Sequence, residues 1–254
     1  MLRSRIIPCL LIHEDGLNKT KKFKPDKYIG DPINAVKIFN EKQVDELMII
    51  DIDKTVKNES PNFNLIQSIA DECRMPLCYG GGINNEKDAQ KIINMGVEKI
   101  ALSSAALKDS SLCSRIANQI GTQSVVLVID IKRNFFNNDY SIYINNGKTK
   151  FSSSLKNFLK NIDRYQIGEL VINSIDRDGT QKGYDFDPLN IARDKVKVPI
   201  TMLGGVGKLD DIKKLIQDFK IIGAAAGSLF VFKGKFKAVL INYPSILERI
   251  NIYK

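Results

Sequence analysis

The stretch Pro76-Leu77-Cys78-Tyr79-Gly80-Gly81-Gly82-Ile83 and its distant echo Pro199-Ile200-Thr201-Met202-Leu203-Gly204-Gly205-Val206-Gly207 decide how this chain is read. Each is a short apolar run ending in glycines, followed within a few residues by an acidic residue and an amphipathic segment. Such a run predicts a strand buried on both faces that turns tightly into a helix. The likeness of the two stretches predicts an internal duplication of half the fold.

Working outward, similar β-branched runs recur at Arg5–Ile12, Glu46–Ile52, Pro76–Tyr79, Lys99–Leu102, Ser124–Ile131, Glu169–Asn173, Pro199–Leu203 and Ile221–Ala225. Amphipathic stretches alternate with them: Pro32–Lys42, Asn64–Cys73, Asn85–Met95, Leu112–Ile120, Ser154–Tyr165, Asp187–Asp194, Leu209–Phe219 and Ser245–Ile250. Eight strands and eight helices in strict alternation predict an α/β fold, a single (β/α)8 TIM barrel, rather than an open doubly wound sheet. No linker rich in Gly, Ser or Pro divides residues 1–254, so one domain is expected. Asn134–Lys150 reads as a hairpin-like excursion after strand five, with Asn-Asn and Asn-Asn-Gly turns around Tyr140–Ile144.

Composition narrows the function classes. The chain has 254 residues, 43% hydrophobic and 26% charged, which is globular usage. No run approaches the ~20 apolar residues of a spanning helix, and Met1–Arg5 leads into a strand-like run rather than a signal peptide. A soluble, cytoplasmic protein without membrane contact is expected. The net charge of +9 is compatible with nucleic acid, an anionic surface or phosphorylated substrates. Lysines are spread along the chain and no aromatic-basic motif accompanies them, so nucleic acid is not expected. Four cysteines, Cys9, Cys73, Cys78 and Cys113, show no C-x-x-C spacing and read as reduced, buried thiols. One histidine, His13, argues against a multi-histidine metal site or a Ser-His-Asp triad, leaving carboxylates and lysines for acid–base work. No metal or cofactor is expected.

In a barrel of this kind, functional groups gather at the carboxyl ends of the strands. Those positions are Leu11, Asp51, Gly80–Gly82, Ser103–Ser104, Asp130, Ser174–Asp178, Gly204–Gly207 and Gly227–Ser228. Gly81 and Gly82 with Ser103 and Ser104, and Gly204 and Gly205 with Gly227 and Ser228, form two glycine–serine groups opposite each other across the mouth. Such groups let phosphate oxygens approach backbone N–H groups, and a substrate with a phosphate at each end would fit. Either group alone could merely make tight turns. Asp130, ending Val-Ile-Asp-Ile-Lys, is the candidate general acid or base, with a helix cap or a lysine-paired carboxylate as the plainer alternative. Asp51 and Asp178 hold similar rim positions, and Gly179-Thr180 could add phosphate ligands. The run Lys19–Lys24 could be a solvated face or a lid over an anionic substrate.

These residues carry a resemblance. Arg5-Ile6-Ile7-Pro8-Cys9-Leu10, Gly30-Asp31-Pro32, Asp45-Glu46-Leu47, Gly80-Gly81-Gly82-Ile83, Asp130, Ser174-Ile175-Asp176-Arg177-Asp178-Gly179-Thr180 and Gly183-Tyr184-Asp185 resemble the cyclase subunit of imidazole glycerol phosphate synthase, of the histidine-biosynthesis barrel family. The resemblance covers essentially the whole chain. It implies a barrel that takes ammonia from a glutaminase subunit docked at its amino-terminal face. The ammonia would react at the carboxyl-terminal face with a bis-phosphorylated ribulosyl substrate in a lyase reaction. It further implies a gate of alternating charges at the barrel bottom, here Arg5, Glu46, Lys99 and Glu169.

Asp130 matches one of the family's two catalytic aspartates and Lys19 its loop lysine. The other aspartate should follow Pro-Cys-Leu of strand one, where this chain has Leu11. His13, Glu14 and Asp15 lie beyond it in the loop. Ser103 stands where the family has an asparagine at a phosphate site, and Leu203 where it has a serine. Pro-Cys-Leu-Leu in place of Pro-Cys-Leu-Asp resembles the variant copy found beside bacterial surface-polysaccharide genes. That variant implies ammonia supply for amidation or amidination of an activated sugar by a third, ATP-dependent protein. Two further readings stand beside it: a histidine-pathway cyclase in which Glu14 or Asp15 replaces the missing acid, and a non-catalytic activator of the glutaminase.

Overall fold

The computed structural model describes residues 3–134 and 139–254. Met1 and Leu2 lie outside the described residues, as does the Asn137-Asn138 turn of the excursion. Eight parallel strands close on themselves: β1 (Arg5–His13), β2 (Leu47–Asp51), β3 (Leu77–Gly80), β4 (Lys99–Leu102), β5 (Val125–Asn134), β6 (Glu169–Ser174), β7 (Ile200–Leu203) and β8 (Gly223–Ala226). β8 pairs β1 with Arg5 opposite Gly223, and β5 pairs β6 with Asp130 opposite Asn173, which completes the ring. The fold is the expected TIM barrel.

Around it run α1 (Pro32–Glu41), α2 (Phe63–Glu72), α3 (Glu86–Asn94), α4 (Ser111–Ile120), α5 (Leu155–Leu159), α6 (Asp187–Ala192), α7 (Leu209–Phe219) and α8 (Ile246–Tyr253). Local sequence starts them. Asp31 accepts from the Asn34 N–H ahead of Pro32, Asn62 from Leu65 N–H, and Asn85 from Asp88 N–H. Ser245 and Glu248 cap α8 reciprocally.

The alternation of strand side chains divides the core in two. Outward residues such as Ile6, Leu10, Ile49, Tyr79, Ile100, Leu127, Ile172 and Met202 pack under helix residues such as Phe39, Ile66, Ile92, Ile116 and Leu215. Inward residues form a separate, smaller cluster: Ile7, Cys9, Met48, Cys78, Ala101, Val126, Val128, Val171 and Ala225, capped by Leu11, Ile50 and Leu203. Each fully buried aliphatic side chain contributes about 1.5–3 kcal/mol. The barrel interior is therefore an apolar plug between two polar ends. Cys9, Cys78 and Cys113 are buried free thiols as expected, whereas Cys73 is only half-buried, because it ends α2 at the surface.

Two β-hairpins extend the barrel rim. The chain leaves β1 through a turn with Glu14 and Asp15 at positive φ, then forms strands Gly16–Lys21 and Lys24–Gly30. The excursion after β5 forms strands Asp139–Ile144 and Thr149–Ser154, the first pairing with β5 itself. Among the described residues, no helix is long and apolar enough to cross a membrane.

Candidate active site

A cavity opens at the carboxyl ends of the strands and runs down as far as Cys9, Met48, Ala101 and Val128. Most of the rim residues singled out in the sequence line it, Leu11, Lys19, Asp51, Gly81, Gly82, Ser103, Ser104, Asp130, Asp178, Gly179, Gly204, Gly205, Gly227 and Ser228 among them, whereas Ser174–Arg177, Thr180 and Gly207 do not. Residues from strands far apart in sequence are thus brought to one mouth by barrel closure alone.

Asp130 is held from the neighbouring strand. Asn173, in register beside it on β6, donates from Nδ2 to Asp130 Oδ1 at 2.8 Å. The carboxyl is only half-buried, reached from the cavity but enclosed by protein on its other sides. Burial lifts its pKa to about 7, the Asn173 hydrogen bond opposing the rise and the Asp178 charge adding to it. A carboxyl that titrates near neutrality can both take and return a proton. Asn173 escaped the sequence reading.

Asp178 organises the opposite wall. Its Oδ1 lies 2.9 Å from Lys19 Nζ, and its Oδ2 accepts from Thr20 Oγ1 at 2.7 Å and Phe23 N–H at 3.1 Å. Lys19 and Thr20 are buried, so this part of the lysine run is neither a solvated face nor a detached flap. The bond network docks the first hairpin over the mouth, where the backbone of Thr20 approaches Gly179 so closely that any Cβ there would collide. Lys21, Lys22 and Lys24 remain exposed as expected of a solvated face.

Asp51 is a cap. Its Oδ1 accepts from the N–H groups of Asp53 and Lys54 at 3.0 and 3.2 Å, starting the short helix Lys54–Lys57. Burial raises its pKa, against these two hydrogen bonds.

The two glycine–serine groups face each other across the cavity. Gly81 and Gly82 after β3, and Gly204 and Gly205 after β7, all have positive φ. A Cβ on Gly81 would strike the Asp51 carbonyl, and one on Gly205 the Gly183 carbonyl, so both turns require glycine. Within these groups the buried Ser103 Oγ and Ser228 Oγ have no hydrogen-bond partner among the described residues. Ser104 Oγ accepts from Asn145 N–H at 2.9 Å, which leaves its own proton to donate. Buried hydroxyls seldom go unpaired, so donors converging from opposite sides mark where a doubly anionic ligand would be gripped.

Two residues weighed as replacement acids do not reach the cavity. Glu14 and Asp15 sit in the exposed turn at the end of β1, and Asp15 accepts from Asn62 Nδ2 at 3.2 Å. His13 is bonded through Nδ1 to Asp53 Oδ1 at 2.7 Å, outside the cavity lining. The wall at Leu11 is apolar, continuous with Ile50 and Leu203.

The other end of the barrel is closed by charge. Arg5 bonds both Glu46 and Glu169, the latter at 2.9 Å. Lys99 Nζ lies 2.9 Å from Glu46 Oε1 and 3.0 Å from Glu169 Oε2. Thr201 Oγ1 donates to Glu169. The result is a complete ring of alternating sign beneath the apolar plug. Burial opposes the charge of Lys99, yet Glu169 and Glu46 outweigh it and raise its pKa. Burial opposes the charge of Glu169 too, but Arg5 and Lys99 hold its pKa low. Glu46 is raised, by burial and by Glu169. Among the described residues no group of His, Cys, Asp or Glu side chains is placed to hold a metal ion.

Comparison with known proteins places the chain in a clear context. Residues 5–237 match the family model described as "Histidine biosynthesis protein". A Vibrio vulnificus protein provisionally named imidazole glycerol phosphate synthase subunit hisF3 is 52% identical over 98% of this chain and 96% of its own length. A Pseudomonas aeruginosa protein provisionally named subunit hisF2 of the same synthase is 47% identical over 97% and 98%. The Lactococcus lactis imidazole glycerol phosphate synthase subunit HisF is 35% identical over 91% and 89%.

Proposed function

Since the chain belongs to the histidine-biosynthesis barrel family, among the cyclase subunits of imidazole glycerol phosphate synthase, we propose that it is a specialised member that delivers ammonia to a sugar acceptor rather than closing an imidazole ring. The observation that carries this reading is the asymmetry between the two ends. The floor ring is complete, while at the mouth Asp51 is engaged as a cap and Asp178 by Lys19 and Thr20, leaving Asp130 as the carboxyl placed for proton transfer and an apolar wall at Leu11. Ring opening and closure by a pair of carboxylates needs a second proton carrier, and leucine has none. The greater identity to the numbered hisF3 and hisF2 copies than to the Lactococcus subunit is in keeping with a variant copy of the subunit.

On this reading the two ends of the barrel do different work. A glutaminase subunit docks on the amino-terminal face and releases ammonia beneath the ring of Arg5, Glu46, Lys99 and Glu169. Ammonium is held back there by the cost of taking its charge into the apolar plug, whereas neutral ammonia crosses between Cys9, Cys78, Ala101 and Ala225. At the mouth, Lys19 and the two glycine–serine groups bind a phosphorylated or nucleotide-activated sugar, and Asp130 exchanges a proton with the arriving amine. A third protein spends ATP to activate the acceptor for amidation or amidination.

Complementation tests this reading. The gene is expected to leave a histidine auxotroph lacking its own cyclase subunit unable to grow without histidine. Growth would return the chain to the ordinary histidine pathway. Loss of sugar modification in Asp130→Asn, with glutaminase activation retained, separates it from a purely activating scaffold.

A further inference from the structure

Although lysines occur along the whole chain, one cluster of them lies where the reaction does not use it. Beside the buried Lys19, the hairpin Gly16–Gly30 carries Lys21, Lys22, Lys24 and Lys27 against one carboxylate, Asp26. After β8 the short hairpin Phe232-Lys233/Ala238-Val239 carries Lys233, Lys235 and Lys237 and no acid. Together these seven lysines and one aspartate hold six of the nine net positive charges in the sequence.

The two hairpins form one face. Lys27 Nζ donates to the Lys237 carbonyl at 3.0 Å, and Lys237 Nζ lies 3.9 Å from Asp26 Oδ2. Two-stranded ribbons are marginal alone, but this one is anchored by buried Phe232 and by Leu240 N–H donating to the Val231 carbonyl at 3.0 Å. Its tip presents Phe236, 84% exposed between Lys235 and Lys237. Tyr28 on the first hairpin is 62% exposed. The face borders the mouth, because Phe23 lines the cavity while its neighbours Lys22 and Lys24 point to solvent.

We propose that this face docks an acidic protein surface, whose carboxylates meet the lysines and whose apolar socket takes Phe236, so that the partner covers the mouth from the β8 and β1 side. Steering of a small anion would need charge around the mouth and would give no role to protruding aromatics, whereas aromatic anchors ringed by charge are the usual centre of a protein interface. The proposal rests on the reading that ammonia leaves this mouth for an acceptor activated by a separate protein. Covering the mouth keeps that ammonia from dissipating into solvent.

The test compares the full chain with Lys24→Glu/Lys235→Glu/Phe236→Ala, in complex with its glutaminase and with the ATP-dependent activating protein. Amidation driven by glutamine is expected to fall at least about tenfold, the loss typical of removing an aromatic anchor with flanking charge. Amidation driven by added ammonium, and glutamine hydrolysis, are expected to stay within about twofold. Glutamine-driven amidation that is unchanged in the triple variant overturns the docking while leaving the ammonia reading intact. A photoreactive phenylalanine at position 236 gives an independent readout in cells. The expected adduct is with the activating protein; an adduct with lipid or nucleic acid, or none, overturns the proposal. If wild-type protein drives no amidation from glutamine yet still forms that protein adduct, it is the ammonia reading that fails.

Discussion

Lys19 and Asp178, 159 residues apart in sequence, form a buried ion pair of 2.9 Å across the mouth of the barrel, and with the bonds from Thr20 and Phe23 to the same carboxylate it docks the first hairpin onto the loop after β6. Because Lys19 is almost fully enclosed, removing its partner leaves an uncompensated charge. Asp178→Asn is expected to destabilise by about 3 kcal/mol in chemical denaturation, or to free the hairpin for tryptic cleavage at Lys21 and Lys22. Lys19→Met/Asp178→Asn should recover part of that loss. A single variant as stable and as protease-resistant as the wild type would show that the pair does not hold the hairpin.

The floor ring predicts a stability profile that falls at both extremes of pH. Glu169 has a lowered pKa, so its contribution is present above the ordinary glutamate value of about 4.3 and is lost as pH falls. Lys99 has a raised pKa, so its contribution is present below about 10.4 and is lost as pH rises past that value. Glu46, raised by burial and by Glu169, is the first carboxylate of the ring to take a proton on acidification. Lys99→Met should cost about 3–5 kcal/mol at neutral pH and flatten the alkaline limb, read from melting temperatures across pH. An unaltered alkaline limb would remove Lys99 from the account.

Asp130 titrates near 7 in the folded chain against about 3.9 when unfolded. Between those values the native state holds a proton that the unfolded chain has released, so stability declines as pH rises through this window. Asp130→Asn should abolish that decline. Asn173→Ala removes a donor that favours the carboxylate, and should move the inflection upward. NMR titration of the Asp130 carboxyl reads both; an inflection near 4 in the wild type would contradict the assignment.

Ser103 and Ser228 should behave as ligand-binding rather than structural residues. Their hydroxyls are buried and unpaired, so Ser103→Ala and Ser228→Ala are expected to change stability by less than about 1 kcal/mol, or to raise it. Each should still weaken binding of a bis-phosphorylated sugar several-fold by calorimetry. Loss of stability without loss of binding would assign the hydroxyls to the fold.

Much of this architecture was legible in the chain because its signals are local. Lys99–Leu102 is a strand from end to end as read, and the reading of Glu169–Asn173 falls one residue short. The glycines after β3 and β7 announced their turns through a backbone requirement that only glycine meets. The hairpin after β1 was missed because its strands are polar and rich in lysine, although Asp15-Gly16 is itself a hairpin signal. That Lys19 and Thr20 are buried depends on Asp178, and no periodicity near residue 19 reports a partner so distant. Asn173 was passed over for the same reason: its role appears only when β6 lies in register beside β5.

The most direct test of the central claim is a product assay on the purified complex with its glutaminase, supplied with glutamine and the bis-phosphorylated ribulosyl substrate of the histidine pathway. With Leu11 at the mouth, and Asp51 and Asp178 held in a cap and an ion pair, glutamate should be released without imidazole glycerol phosphate being formed. Robust formation of imidazole glycerol phosphate would contradict the account.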